Sequence, residues 1–416
     1  MALPPRILPR IGVLAGLCLL VAHLHAAPLT FDQALQAALS THPLVQSKRS
    51  SQVAAQAERE GAEWQRYPTP SIEANTQSGG QNGGKNASLL RVDQPLWTGG
   101  RITAGIEAAD SRYDAAGAAI DEVRQELALR VIAASGEAAR QQARQVYARA
   151  SVNEHEQLLA MIRRRVEQEV SPLADQRLAE SRLYSTVNDL SSSTQALQNA
   201  LAQLGQLSGR MVTEIDSLSY AEAAKPEGLS GDLSRVLERA LAYSPALRRL
   251  NFEAQAANAD IDSKRSAYMP QLSLRLESSQ GSVSDNRALL VLLAQPGAGL
   301  SAKSGVDAAI ARREATRLAA ETARRDVRER VSLDWNEWTA ARSRMDNAEQ
   351  ARSTSAEVSE SYARQYTAGR KTWLDVLNAV REATLAELAL VDAKSQMRAA
   401  VLRLKAQTGA LNLEAK

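Results

Sequence analysis

Cysteine, histidine and aromatic residues are all scarce in this chain. Its 416 residues include one cysteine, four histidines, two phenylalanines, five tryptophans and nine tyrosines. A single cysteine excludes an internal disulfide, and so few aromatic residues and histidines argue against an enzyme built around a packed pocket. Lys plus Arg number 50 against 47 Asp plus Glu, which argues against nucleic-acid binding because that requires a clustered basic excess. The composition instead predicts long, alanine-rich helices.

A long apolar run occurs only near the N-terminus. Arg6 and Arg10 precede the apolar stretch 11–22, and small residues follow it. This layout is typical of a secretory signal peptide, and we expect residues 1–26 to be removed by cleavage after Ala26. The chain is therefore predicted to be exported.

The sequence has neither the motif for lipid attachment nor a stretch long enough for a membrane-spanning helix after the predicted signal peptide. Leu17 precedes Cys18, at the position where a lipoprotein signal requires Gly or Ala. Beyond the predicted signal peptide, no stretch approaches the roughly 18 apolar residues of a membrane-spanning helix. Any insertion into a membrane would have to use strands.

The sequence repeats itself, with the offset falling only from 202 to 200 residues along the chain. Five anchors recur in the same order: 38–43 with 240–245, 67–68 with 269–270, 94–95 with 295–296, 104–109 with 304–309, and 204–209 with 404–409. Ordered anchors of this kind indicate duplication of one structural unit. We predict a first repeat at 27–210, a linker at 211–230, a second repeat at 231–411 and a tail at 412–416.

Each repeat is predicted to contain a helix, a β-hairpin, a very long helix and a further helix. In the first copy a helical pattern covers residues 30–66 and stops before Pro68, after which apolar residues alternate with polar ones. Polar, turn-rich segments separate the two strands of each hairpin. The predicted strands are about 69–77 and 87–96 in the first repeat and about 270–278 and 287–295 in the second.

Alternation gives the strands one apolar and one polar face. The predicted lipid-facing residues are Ile72, Leu90, Val92, Leu272, Leu274 and Leu276, and the predicted water-facing residues are Glu73, Arg91, Arg275 and Glu277. The last strand is apolar on both faces and gives no clear side. Four strands are too few for a membrane barrel, and lipid does not tolerate an open sheet edge. The chains must therefore associate, although the residues do not choose among dimer, trimer and tetramer.

The long helices carry a seven-residue apolar period. Ile106, Ile120 and Leu127 follow this period with Tyr113, and the second copy largely preserves it. Residues 101–169 contain no strong helix breaker, so a rod on the order of 100 Å is expected at 1.5 Å per residue. The predicted turns at the far end of the rods are 169–172 and 368–371.

Two motifs carry a resemblance to a known family. Residues 94–100 read Gln-Pro-Leu-Trp-Thr-Gly-Gly, and residues 366–379 read Tyr-Thr-Ala-Gly-Arg-Lys-Thr-Trp-Leu-Asp-Val-Leu-Asn-Ala. With the duplication, they make the whole predicted mature chain resemble the TolC family of outer-membrane channel proteins. The resemblance implies a mostly α-helical homotrimer whose twelve strands form a β-barrel in the outer-membrane lipid of a Gram-negative bacterium and whose helices form a periplasmic tunnel.

The same resemblance implies partners and a process. The expected partners are a periplasmic adaptor protein and an inner-membrane pump, with an ABC transporter as the pump type. The run at 369–377 and the short C-terminus look most similar to members that serve type I secretion of large proteins such as adhesins. Multidrug or small-molecule efflux is the alternative within the family.

The resemblance also places a periplasmic gate at the second turn. Asp375 matches an acidic ring at the constriction, Lys371 lies near a basic position that helps to hold the closed state, and Asn378 replaces a second acid. The alternative interpretation is that Asp375 is a favourable acid in the first turn of its helix, beside the positive end of the dipole.

Adaptor docking is the other function that the resemblance assigns to these turns. In the first turn, Ser171 is predicted to cap a helix that begins at Pro172. The candidate docking residues are Val170, Ser171, Pro172, Gly369, Arg370 and Trp373. For Trp373, docking and helix packing are equally compatible with the sequence.

Parts of the sequence fit two other classes of protein. A periplasmic adaptor or filamentous coiled-coil protein would account for the heptads and the signal peptide but not for the hairpins. An enzyme is disfavoured because His42 and His155 have no metal-ligand or triad-like partner in the sequence, and both are predicted to be surface residues. We therefore expect no catalytic residue, no metal and no cofactor.

Overall fold

The structure is a computed structural model that describes residues 28–77, 85–227, 232–280, 285–295, 297 and 301–413. The expected signal peptide, 1–26, and the turns within the two hairpins lie outside these residues. No helix in the described ranges has the length and apolar composition that a membrane crossing requires.

The two repeats contain matching elements in the same order, as the duplication predicts. The first repeat comprises α1 (Phe31–Thr41), α2 (Pro43–Trp64), β1 (Thr69–Gln77), β2 (Lys85–Trp97), α3 (Arg101–Glu167) and α4 (Leu173–Ser208). A short helix, α5 (Ser217–Ala223), follows. The second repeat comprises α6 (Leu233–Tyr243), α7 (Pro245–Arg265), β3 (Gln271–Gln280), β4 (Asp285–Leu293), α8 (Ser301–Thr367) and α9 (Trp373–Thr408). Both long helices have 67 residues and both helices that follow them have 36.

The first helical segment is broken, and the prediction of one continuous helix over residues 30–66 is wrong. His42 has an extended backbone, with φ −62° and ψ 133°, and separates α1 from α2. The cause is Pro43, which disfavours helical geometry in the preceding residue but suits the first position of a new helix. Ser244 and Pro245 interrupt the second repeat in the same way.

The four strands form one antiparallel sheet in the order β1-β2-β3-β4. The two hairpins are joined through β2 and β3, which leaves β1 and β4 as the edges. The register of β2 against β3 shifts between Pro95 and Trp97, where Pro95 has no backbone N–H to donate. The strand ends differ from the predicted ones by a few residues at most.

The helices pack in antiparallel pairs along the length of the molecule. α3 pairs with α4, α8 pairs with α9, and α7 lies against both α3 and α8. The largest core lies near the middle of the rods, where Phe31 meets Tyr220 of α5 edge-on at a ring-centroid distance of 5.7 Å. Leu29 donates its N–H to the Glu214 carbonyl at 3.0 Å. The segment between the repeats is therefore packed into the fold.

Both histidines beyond the predicted signal peptide are buried, and the prediction of surface positions is wrong. His42 is 7% exposed, and its Nδ1 accepts a hydrogen bond from the Leu44 N–H at 3.2 Å. His155 is 5% exposed, with Nδ1 2.8 Å from the Ser151 carbonyl oxygen. Local hydrogen bonds to backbone groups satisfy these imidazole nitrogens inside the helix packing, which the polar neighbours in the sequence did not indicate.

Candidate functional sites at the two ends of the molecule

The sheet has one apolar face. Antiparallel partners project to the same side, and Ile72 pairs with Leu90 while Val92 pairs with Leu276. The pairing places on a single face all six residues whose alternation indicated an apolar side: Ile72, Leu90, Val92, Leu272, Leu274 and Leu276. Ile72 is 79% exposed in the single chain. Leu90 and Leu276 on the central strands are 46% and 48% exposed, so within the described residues this largely apolar face is open.

The opposite face carries cross-strand ion pairs. Arg91 Nε lies 3.1 Å from Glu277 Oε1, and Arg275 Nε lies 2.6 Å from Asp93 Oδ1. Arg287 extends the series to β4, with its Nε 3.3 Å from Glu277 Oε2. The ion pairs lie on one face and most of the leucines on the other, so the sheet is amphipathic.

The structure assigns sides to the last strand, which the sequence left open. Leu290 pairs with Leu274 and Leu292 pairs with Leu272, so both lie on the apolar face. Leu289 pairs with Arg275 and lies on the charged face. The register of β4 against β3 assigns these residues to a face, because a strand that is apolar at every position shows no alternation between apolar and polar residues.

Exposed aromatic residues gather where the helices meet the sheet. Trp64 at the end of α2 contacts Tyr67 at a ring-centroid distance of 5.2 Å. Trp97 ends β2 on the same face as Leu272, and Tyr268 lies just before β3. Tyr67 and Tyr268 were not among the residues predicted from the sequence, although each lies within two positions of the proline that precedes its hairpin.

Close backbone approach explains the glycines after Trp97. Gly99 has φ +60°, and a Cβ there would lie 2.6 Å from the Cβ of Met269. Gly100 has φ +89° at the N-cap of α3. The paired glycines let the chain leave the sheet and enter the long helix while touching the segment that leads into β3.

At the far end of the rods, Gly369 ends α8. Its φ is +72°, its N–H donates to the Tyr366 carbonyl at 3.0 Å, and the Arg370 N–H donates to the Gln365 carbonyl at 2.9 Å. This pair of bonds is a Schellman motif, which needs a left-handed residue at the position of Gly369.

Asp375 takes part in a capping box at the start of α9. The Asp375 N–H donates to Thr372 Oγ1 at 3.2 Å, and the Asp375 carboxylate accepts from the Thr372 N–H at 3.0 Å and from its hydroxyl at 2.8 Å. The hydrogen bonds from the Thr372 side chain and backbone, with a smaller contribution from the charge of Lys371, hold the pKa of Asp375 below its ordinary value. The carboxylate therefore has a structural role in the helix cap.

The first turn has the same hydrogen bonds without the glycine. The Val170 N–H donates to the Arg165 carbonyl at 2.8 Å, and Glu169 takes the left-handed position with φ 59°. α4 begins at Leu173 with Pro172 at its N-cap and no side-chain cap bond. The prediction that Ser171 caps a helix beginning at Pro172 is therefore wrong by one position.

A compact apolar cluster joins the two turns. Trp373 is 4% exposed and lies at a ring-centroid distance of 5.6 Å from Tyr366. Leu158, Ile162, Val376, Leu377 and Val380 belong to the same cluster. Of the two interpretations of Trp373, its burial favours helix packing over docking.

The other candidate residues of the turns lie at or near the surface. Lys371 is half-buried, and its Nζ lies 4.1 Å from the centroid of the Tyr362 ring. Ser171 is also half-buried, whereas Val170, Pro172, Gly369, Arg370 and Asn378 are exposed. Asn378 follows Asp375 by three positions and so lies on the same side of α9. Within the described residues, no cluster of three or more His, Cys, Asp and Glu side chains could hold a metal ion.

Paired rods of about 100 Å, an internal two-fold repeat and an amphipathic sheet at one end define a protein of the outer-membrane channel class. Residues 34–210 and 236–410 match the family model described as outer membrane efflux protein, and the chain belongs to that family. The family places the chain in the outer membrane with a periplasmic extension.

Solved structures share the fold at low sequence identity. The chain is similar to CusC, with a TM-score of 0.82, 18% identity and coverage of 91% of this chain and 92% of that chain. It is similar to VceC of Vibrio cholerae, with a TM-score of 0.78, 17% identity and coverage of 91% and 96%. It is also similar to MtrE of Neisseria gonorrhoeae, with a TM-score of 0.72, 18% identity and coverage of 93% of this chain and 91% of that chain. No curated protein sequence matches the chain at a significant level.

Proposed function

We propose that this chain is the outer-membrane exit duct of a tripartite export system and that it works as a homotrimer. The amphipathic four-stranded sheet carries the proposal. Among the described residues its edge strands β1 and β4 have no partner on their outer sides, and lipid does not tolerate unpaired backbone groups. Joining β4 of one subunit to β1 of the next closes a twelve-stranded barrel with three copies.

The two faces of the sheet suit the two environments of such a barrel. The leucines of the apolar face contact lipid, while the ion pairs of Arg91, Arg275 and Arg287 face the water-filled interior. The helices extend the conduit into the periplasm. Conduction is passive and requires no catalytic residue, because an inner-membrane pump supplies the energy and a periplasmic adaptor connects the pump to the duct.

For the cargo, we propose type I secretion of a large protein with an ABC transporter as the pump. The support is the sequence at 369–377, which resembles secretion members of the family. Deleting the gene distinguishes this process from small-molecule efflux. Loss of one protein from the culture medium with unchanged drug sensitivity supports secretion, and the reverse result supports efflux.

A matched pair of substitutions tests the membrane assignment. Leu274→Arg puts a charge on the apolar face and is expected to cost about 2–4 kcal/mol near mid-membrane. Ser273→Arg puts the same charge on the adjacent, polar face and is expected to be tolerated. Outer-membrane fractions analysed on unheated gels measure the yield of oligomer. Equal yields for the two variants would contradict the proposed orientation of the sheet.

We further propose that Asp375 contributes a threefold negative ring at the periplasmic end of the duct, with Lys371 and Asn378 beside it. Repetition of one carboxylate around a narrow aperture attracts cations. Because Asp375 also caps α9, the test needs a variant that separates the two roles. Thr372→Val removes the cap partner but keeps the charge.

Single-channel recordings in planar bilayers measure the outcome. Asp375→Asn is expected to change cation block or open probability, while Thr372→Val leaves cation block unchanged. If both variants alter the channel equally, Asp375 acts through the helix cap and the proposed ring is wrong.

A further inference from the structure

The equivalent helices α3 and α8 are very unequally covered. α3 packs against α2 and α4 of its own repeat and also against α7 and α9 of the other. α8 packs against α6, α7 and α9 of its own repeat. The residues of α8 that are buried are few: Val306, Ala309, Val331, Ala341, Ser359 and Tyr366. Within the described part of the chain, the contacts that α3 makes with the other repeat have no substantial counterpart on α8.

The same asymmetry affects α2 and α7. α7 lies between two long helices, α3 and α8, whereas α3 is the one long helix with substantial contact to α2 in the part of the chain that the structure describes. Ala256 of α7 is 4% exposed, but its repeat equivalent Ala54 is exposed. Val53 is 65% exposed. A second long helix packed against α2 would cover the face that α3 covers on α7.

We propose that α2 of one subunit packs against α8 of the next in the register that α7 has against α3. The inference deepens the proposed function, since it rests on the homotrimer. The internal repeat supplies the template: three subunits of two repeats form a ring of six similar units, and each unit should meet its neighbour in a similar way. The contact between repeats inside one chain then serves as a guide to the contact between chains.

One ion pair between α3 and α7 has charged equivalents on α8 and α2, and these equivalents define the proposed register between subunits. At the α3–α7 contact, Arg112 Nη2 lies 2.6 Å from Asp260 Oδ2. The repeat equivalents of these residues are Arg312 and Glu58, which keep both charges. Arg312 and Glu58 are exposed, and neither side chain forms an ion pair within the residues that the structure describes. Opposite charges at equivalent positions on two uncovered helices fit a contact between copies.

Two further ion pairs of the α3–α7 contact have no equivalent ion pair in the proposed contact between α8 and α2. Arg248 and Arg249 of α7 pair with Asp121 and Glu122 of α3. Three of the four repeat equivalents are uncharged: Gln46, Ser47 and Thr322, the fourth being Glu321. The Glu58–Arg312 pair is therefore the ion pair that the contact between subunits retains from this template.

Small residues allow the same close approach. Ala115 follows Arg112 by three residues on α3, Ala256 precedes Asp260 by four residues on the antiparallel α7, and both are buried. Their equivalents Ala315 and Ala54 are exposed. The proposed register places Ala315 of one subunit opposite Ala54 of the next, where two helices can approach closely.

Cysteine cross-linking in the full-length protein tests the register. In a Cys18→Ser background, Ala54→Cys with Ala315→Cys is expected to give covalent dimers and trimers on oxidation, because a disulfide requires facing Cβ atoms. The matched control pairs Ala54→Cys with Arg317→Cys, which lies on the opposite side of α8, and should stay uncross-linked. Non-reducing gels report the products, and native mass spectrometry reports the assembly before oxidation.

Charge reversal gives a second readout. Glu58→Arg and Arg312→Glu should each lower the temperature at which the oligomer dissociates, and combining them should restore it. An intact oligomer that cross-links equally in both cysteine pairs, or in neither, would overturn the proposed register. If the same oligomer still conducts ions in planar bilayers, the proposed function as a duct is supported even though the register is wrong. A wild-type monomer with no conductance would contradict the proposed function itself.

Discussion

The long helices of the two repeats, and the helices that follow them, match in length but are joined by turns of different sequence. At the first turn, Glu169 takes a left-handed backbone and Pro172 caps α4 without a side-chain bond. At the second, Gly369 and Thr372 provide the residues that these positions favour. Lengths are preserved because long helices packed side by side must stay in register. The ends diverge because each repeat meets different surroundings there.

The largest expected difference between the repeats concerns the first residue of the helix after each turn. Trp373 is 4% exposed, whereas its equivalent Leu173 is 57% exposed. Trp373→Ala should cost about 3–5 kcal/mol through the cavity that it leaves, and Leu173→Ala should change stability by less than about 0.5 kcal/mol. Denaturant unfolding of the purified protein in detergent measures both. Trp373→Phe is the control that keeps an aromatic ring, and equal losses from the two alanine variants would contradict the difference in packing.

A second difference lies at the glycines that end α4 and α9. A Cβ at Gly409 would lie 2.5 Å from Cδ2 of Tyr243, whereas one at Gly209 would lie 3.9 Å from Oγ1 of Thr41. Both alanine variants lose about 1–2 kcal/mol because the backbone is left-handed. Gly409→Ala should lose about 1–3 kcal/mol more through the clash with the ring.

Thermal melting followed by circular dichroism compares the two glycine variants. Tyr243→Ala should remove most of the additional loss at Gly409 when the two substitutions are combined. If the double variant shows no such recovery, the ring is not the cause.

A glycine in the first turn is expected to stabilise the protein. Glu169 has φ 59°, where its equivalent Gly369 has φ 72°. Glu169→Gly should stabilise the protein by about 1 kcal/mol because a left-handed backbone disfavours residues with a Cβ, and Gly369→Ala should destabilise it by a similar amount. Chemical unfolding midpoints compare the variants. A loss of stability in Glu169→Gly would mean that the glutamate side chain has a role of its own.

The smallest expected effect is the pH dependence of the α9 cap. Because hydrogen bonds from Thr372 lower the pKa of Asp375, the stabilisation is present above the ordinary Asp value of about 3.9. It is lost as pH falls through the lowered pKa of the folded state. The difference in melting temperature between the wild type and Asp375→Asn should therefore shrink on acidification below that range. If the difference in melting temperature does not depend on pH, the charged Asp375 cap is not its cause.

Most of the architecture followed from local patterns. Prolines and alternating residues located the hairpins, the seven-residue period located the rods, and the repeated anchors showed two copies of one unit. The break at Pro43 and the cap at Pro172 were misjudged because several positions near a proline are chemically acceptable for a helix end. Sequence alternation also placed Ile72 and Leu274 on an apolar side, and strand pairing unites those sides into one face.

The sequence by itself determined the order of the hairpins and long helices and their approximate lengths, because caps, breakers and periodicity act within a few residues of each other. Only the tertiary structure decided the sides of β4, the burial of His155 and Trp373, and the covering of α3 but not α8. These properties depend on which element lies opposite, and residues far apart in the chain supply the contact. Within the described residues, the packing of a single chain leaves most of α8 exposed or partly exposed.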